Sequence, residues 1–177
     1  TPGAGLFEVA GGSPSGNAVQ AVVDVDSGSG FDDVATMDFA PAATLAADLG
    51  GTTADTVLTC SGDSDLDLVE TGSLAAIGAE FVRVDQIDLK GKTVTVGRGC
   101  LDTLVSAHAK GDAIVFFDDH TASDLKQYAA GDSVSADLLT ITGSGQLDMF
   151  DAPTDVVQFD SRAVRPLRPA NVTVAGT

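Results

Sequence analysis

Glu80–Arg98 reads EFVRVDQIDLKGKTVTVGR. Its two halves, EFVRVDQIDL and KTVTVGR, are joined by Lys90–Gly91–Lys92. They predict two antiparallel strands turning about Gly91. Similar runs recur on both sides. Asn17–Asp26 (NAVQAVVDVD), Thr56–Cys60 (TVLTC) and Leu74–Ile77 predict strands before the hairpin. Ala113–Phe117, Val134–Thr142 (VSADLLTIT), Asp155–Asp160 and Val172–Ala175 predict strands after it. Asp63–Val69 sets Leu66 and Leu68 at i, i+2 between acids, as a half-buried strand edge would. Phe31–Phe39 is mixed. Pro41–Leu49 fits one short helix closed by Gly50–Gly51, or an extended segment. Thr103–Ala109 and Ala122–Ala129 read as short helical stretches. Short strands joined by glycine turns predict an all-β chain, built of small barrel or sandwich modules with short helical turns.

The expected organisation has three parts. Residues 1–34 form an N-terminal arm or linker with one strand, because residues 1–16 are rich in Gly, Ser, Pro and Ala. Residues 35–120 form a barrel-like module. Residues 121–177 form a second β segment, ending in an Arg/Pro-rich linker. A break is expected within 118–130, where Asp118–Asp119–His120 opens a polar stretch. In the tail, Arg162, Arg165 and Arg168 alternate with Pro166 and Pro169, which favours extended backbone. These arginines are candidates for contacting an acidic face of a neighbouring subunit.

Composition narrows the function classes. The chain has 177 residues, 26 acids against 9 bases, and a formal net charge of −17. Residues 1–82 hold 13 acids and no Lys or Arg; residues 83–177 hold 13 acids and all 9 bases. Such a chain repels phosphate, so no nucleic-acid or anionic-membrane partner is expected. The longest apolar runs, Leu74–Ala79 and Ala113–Phe117, are too short for a membrane span. The start TPGAGLFEVAGG has neither Met nor a secretory-signal pattern, and reads as a processed product or a piece of a longer polypeptide. Cys60 and Cys100 read as buried thiols, with a disulfide between them as the alternative if their strands are neighbours.

No residue set points to catalysis or a cofactor. Asp24-x-Asp26 and Asp63-x-Asp65-x-Asp67 start like calcium loops. A helix–loop–helix site needs Gly sixth and Glu twelfth; Ser29 and Ala35, or Leu68 and Leu74, stand there. No metal site is therefore expected, an irregular calcium site being the alternative. His108 and His120 are the histidines, and no serine sits in a G-x-S-x-G elbow. Cys100 follows Arg98–Gly99, which could lower a thiol pKa, but it ends an apolar strand where a packed side chain is expected. Asp102 and His108 could pair, which without a nucleophile reads as a loop clamp.

One pattern is specific. Gly78 and Glu80, Thr95–Gly99, Asp102 and Thr103, Ala107 and His108, Gly111 and the apolar run Ala113–Phe117 stand in fixed order. Tyr128–Val134, Leu138–Asp148, Ser161–Val174 and, upstream, Met37–Pro41 continue it, so that it covers roughly residues 35–177. This pattern resembles the host-specificity, tail-tip or baseplate-hub proteins of long-tailed bacteriophages and gene transfer agents. The resemblance implies a structural virion protein at the tail tip, not an enzyme, assembled as a homo-oligomer. Its implied partners are distal-tail, hub and fibre subunits, with a host surface receptor as a further contact. A glycan-binding or glycan-cleaving module of a tail fibre is the alternative, weakened by the absence of Trp and the single Tyr. Within the motif, the Arg98 guanidinium is expected to fork onto Asp102 or Glu80. Gly99 is expected to make a sharp turn, Thr103 to cap the next turn, and His108 to hydrogen-bond the loop backbone.

Overall fold

The computed structural model describes residues 5–14, 16–62 and 65–160. Thirteen strands follow one another: β1 (Gly5–Val9), β2 (Ala18–Asp26), β3 (Phe31–Asp38), β4 (Ala42–Leu45), β5 (Val57–Ser61), β6 (Leu74–Ile77), β7 (Glu80–Asp88), β8 (Thr93–Cys100), β9 (Ala113–Phe116), β10 (Ala122–Tyr128), β11 (Ser133–Thr142), β12 (Gly145–Gln146) and β13 (Thr154–Gln158). Among the described residues the helical elements are two single 3₁₀ turns, Leu66–Leu68 and Met149–Asp151. No helix there is long and apolar enough to cross a membrane. The chain is all-β, as its alternating runs predict.

Six strands close into a barrel in the order β4-β5-β8-β7-β6-β9. Closure pairs every strand on both sides and leaves no free edge. The hairpin sets the pattern. Val82 and Val84 of β7 and Val94 and Val96 of β8 point inward and are fully buried, while Arg83 and Thr95 alternate with them. Leu45, Leu58, Ile77, Ile114 and Phe116 fill the same core. In the turn, the Asp88 carboxylate accepts the Gly91 N–H at 2.9 Å, and Lys92, not Gly91, takes the left-handed conformation (φ 52°).

The second core is drawn from both ends of the chain. β2 pairs with β3 on one side and with β11 on the other, and β12 and β13 line the far edge of β11 in tandem. β1 pairs with β10. Phe7, Val23, Val25, Met37, Tyr128 and Val134 form one apolar cluster. The barrel, residues 42–116, is thus inserted between β3 and β10. Residues 1–34, expected as an arm with one strand, hold β1, β2 and the start of β3, and they pair with strands of the expected third segment.

Four local expectations change. Pro41–Leu49 takes its extended alternative as β4, because Ala43 and Leu45 reach the barrel core only on a strand. Ala122–Ala129 is β10, since pairing with β1 overrides its helical reading. Thr103–Ala109 is a loop without helix. Leu66 and Leu68 lie on a 3₁₀ turn, which buries Leu66 and leaves Leu68 exposed. No disulfide joins Cys60 and Cys100; Cys60 is buried and Cys100 half-buried. Val172–Ala175 and Asp63 lie outside the described residues.

Candidate functional site

The motif residues meet at one end of the barrel. Glu80 opens β7 on the same face as Val82 and Val84; Arg98 continues the inward row of Val94 and Val96. Between Phe81↔Cys100 and Arg83↔Gly97 the register slips, so that Arg98 and Gly99 together oppose Val82. This bulge aims Arg98 across the barrel mouth. Gly99 carries it at φ +65°, and a Cβ there would lie 2.9 Å from Val105 Cγ2. Glycine is the residue that fits both constraints.

Arg98 and Glu80 form a two-pronged ion pair. Nε donates to Oε1 and Nη2 to Oε2, each at 2.8 Å, and both side chains are 0% exposed. The remaining guanidinium hydrogens fasten three backbone carbonyls. Nη1 donates to Gly50 O at 3.0 Å and Asp55 O at 2.8 Å, and Nη2 to Ser106 O at 2.6 Å. One arginine thereby ties the 46–56 loop and the 101–112 loop to the strand ends.

Glu80 is equally saturated. It accepts the N–H of Gly99 at 3.0 Å and of Ser106 at 3.1 Å, and lies 2.9 Å from His108 Nε2. Facing an ionised carboxylate, Nε2 carries the proton and donates. The His108 ring also reaches Ser106 Oγ at 3.3 Å and Asp112 Oδ2 at 3.8 Å from Nδ1. Burial on its own would raise the Glu80 pKa; hydrogen bonds from Arg98, His108, Ser106 and Gly99 outweigh it and hold the carboxyl at about 2.

Thr103 straps the loop to β7. Its hydroxyl accepts the Phe81 N–H at 3.0 Å and donates to Cys100 O at 2.7 Å. Between them Leu101 and Asp102 both take positive φ, 51° and 59°. Such backbone costs of order 1–3 kcal/mol per residue and persists where surrounding contacts fix it. Gly111 closes the loop at φ +95°.

The expected clamp is therefore present, with different partners in places. Glu80, and not Asp102, receives the Arg98 fork, because it stands on the inward face of the neighbouring strand. His108 bonds the Glu80 carboxylate through its ring, while its own backbone pairs with Leu49 (N–H to Leu49 O 3.0 Å, O to Leu49 N–H 2.8 Å). Thr103 holds a strand end and not a helical turn. The partners at Gly50, Asp55 and Ser106 were not legible, since a backbone carbonyl leaves no trace in residue type. The inward parity of Glu80 with Val82, and of Arg98 with Val96, is the signal that marks the pair. Arg162, Arg165 and Arg168 lie outside the described residues.

The arrangement holds the two loops to the strand ends. A cleft of about 320 Å³ opens elsewhere, beside Asp118 and His120, and Glu80, Arg98 and His108 do not line it. Among the described residues no three His, Cys, Asp or Glu side chains converge as metal ligands would. No protein-family model matches the chain, and no curated protein matches it.

Proposed function

We propose that the chain is a non-enzymatic structural part of a bacteriophage tail tip or baseplate hub, which builds the distal tail and positions host-recognition elements. The observation that carries the reading is the Glu80–Arg98–His108 network. The residues that bear the family resemblance converge into one buried clamp, saturated by its own hydrogen bonds. That is the chemistry of a scaffold: it fixes two loops of a closed barrel. On this reading the partners are other tail proteins and further copies of the chain. The glycan-module alternative draws no support from Tyr128, which is buried, stacked on Phe159 at 4.9 Å, with its hydroxyl donated to Asp124. Burial first, and then that hydrogen bond, push its pKa up to about 12. It offers no open face to a sugar.

Immunogold electron microscopy of purified particles tests the proposal. Antibody to this chain is expected to label the distal tail. Label confined to heads, or no label on intact tails, overturns it.

A further inference from the structure

A second polar cluster lies far from the clamp in sequence. On the β3–β2–β11 sheet, Asp24 stands directly opposite Asp33 on one side and Asp137 on the other. Beyond Asp137 the row ends at Thr154 of β13. These residues share one sheet face, away from the apolar cluster that takes Val23 and Val25. Asp24 is 5% exposed and Asp137 2%, whereas Asp33 is exposed. The Oδ1 atoms of both Asp24 and Asp137 are buried with no hydrogen-bond partner.

Two occluded carboxylates with orphaned oxygens on neighbouring strands cannot both stay ionised without large cost. Among the described residues, the charges acting on Asp24 belong to Asp33, Asp137 and Asp32. Asp26, two residues along β2 on the same face, is engaged with the N–H groups of Gly28 and Gly30. A single cation does not answer for the whole row, because Asp33 and Asp137 are two strand spacings apart, roughly 9–10 Å. A proton on Asp24 relieves its pair with Asp33, since a carboxylic acid can donate to a facing carboxylate.

We propose that Asp24 holds a proton shared with the facing carboxylate of Asp33, under the charge of Asp137 on the other side, and that this proton is a pH-sensitive fastener of the β3–β2–β11 sheet. Burial, then the charge and hydrogen bond of Asp33, then Asp137 and Asp32 all raise the Asp24 pKa above its ordinary 3.8. The sign follows. The folded state holds the proton more tightly than the unfolded chain, so the stabilisation is complete below about pH 3.8 and is lost as pH rises through the folded value. Because Asp33 faces solvent, the proton can leave from that side while the strands stay paired. The five-stranded sheet is then the alkali-sensitive part of the fold.

Asp24→Asn tests this on the full chain, since the amide stays neutral at every pH. At pH 8 the variant is expected to melt at least about 2–4 °C above the unsubstituted protein, with the gap closing by pH 4. Asp137→Asn is expected to narrow the pH dependence in the same direction. Carbon-13 NMR of the Asp24 carboxyl gives a readout on the unsubstituted protein that does not depend on variant folding: a titration midpoint above the ordinary 3.8 is expected. An Asp24 carboxyl that titrates at or below 3.8 overturns the proposal. So does an Asp24→Asn melting point equal to or below the parent's at pH 8, or a calcium- or magnesium-dependent rise in the parent that Asp24→Asn abolishes.

Discussion

Arg98 engages four groups at once, and its value to the fold depends on Glu80 remaining opposite. Breaking a buried, hydrogen-bonded pair from one side leaves the other charge stranded, which costs about 3–5 kcal/mol. Arg98→Ala and Glu80→Gln are therefore each expected to lower the urea-unfolding free energy by that amount, whereas loss of the exposed Arg83–Asp85 pair is expected to change it little. Arg98→Lys is expected to fall near the alanine variant, because an ammonium cannot fork onto both carboxylate oxygens and reach Gly50 and Asp55. A second test uses pH. The folded Glu80 carboxyl titrates at about 2 against an ordinary 4.5. Its stabilisation is thus present above about pH 4.5 and lost as pH falls toward 2. Acid titration of the melting point is expected to show this decline, and Glu80→Gln to flatten it. Of this pair's surroundings, the sequence announces the residues with distinctive side chains. It does not announce Ser106, Gly50 or Asp55, which enter through carbonyls that any residue carries.

At the scale of elements, the bulge in β8 decides where the clamp points. Gly99→Ala meets both a left-handed φ and Val105 Cγ2, while Gly111→Ala meets an unusual φ in open space. Both are expected to destabilise, Gly99→Ala by about 1–3 kcal/mol and Gly111→Ala by less. Equal losses in differential scanning calorimetry would remove the steric part of the account. β2, β5 through β9, β11 and β13 were readable, β5, β7 and β8 from alternation of apolar with polar residues and β6 and β9 as short apolar runs between turns. β4 and β10 were harder. The run PAATLAADL is rich in alanine, which suits helices, and closure of the barrel decides its conformation. ASDLKQY carries few β-branched residues, and β1 imposes its pairing. The turn at 89–92 shows the limit from the other side: glycine marks it, yet Lys92 bears the positive φ.

For the whole molecule, the sequence predicted a linear series of parts, and the chain instead interleaves them. Pairing between β2 and β11 is separated by about a hundred residues, and no local pattern encodes it. The barrel has its own core and no open edge, so residues 40–118 are expected to fold alone. Residues 1–38 are expected to remain unfolded without 121–160, and a dispersed NMR spectrum of that N-terminal piece in isolation would contradict the shared core. The route of the chain also has a mechanical consequence. Ala42 of β4 pairs with Val115 of β9, so the barrel's entry and exit strands are hydrogen-bonded neighbours, while Gly5 and Gln158 both belong to the outer sheets. A pull applied at those outer ends passes through β1, β2, β11 and β13 and goes around the barrel. The barrel bears tension only after the outer sheets have torn, which makes it a load-shielded payload on a strained tether.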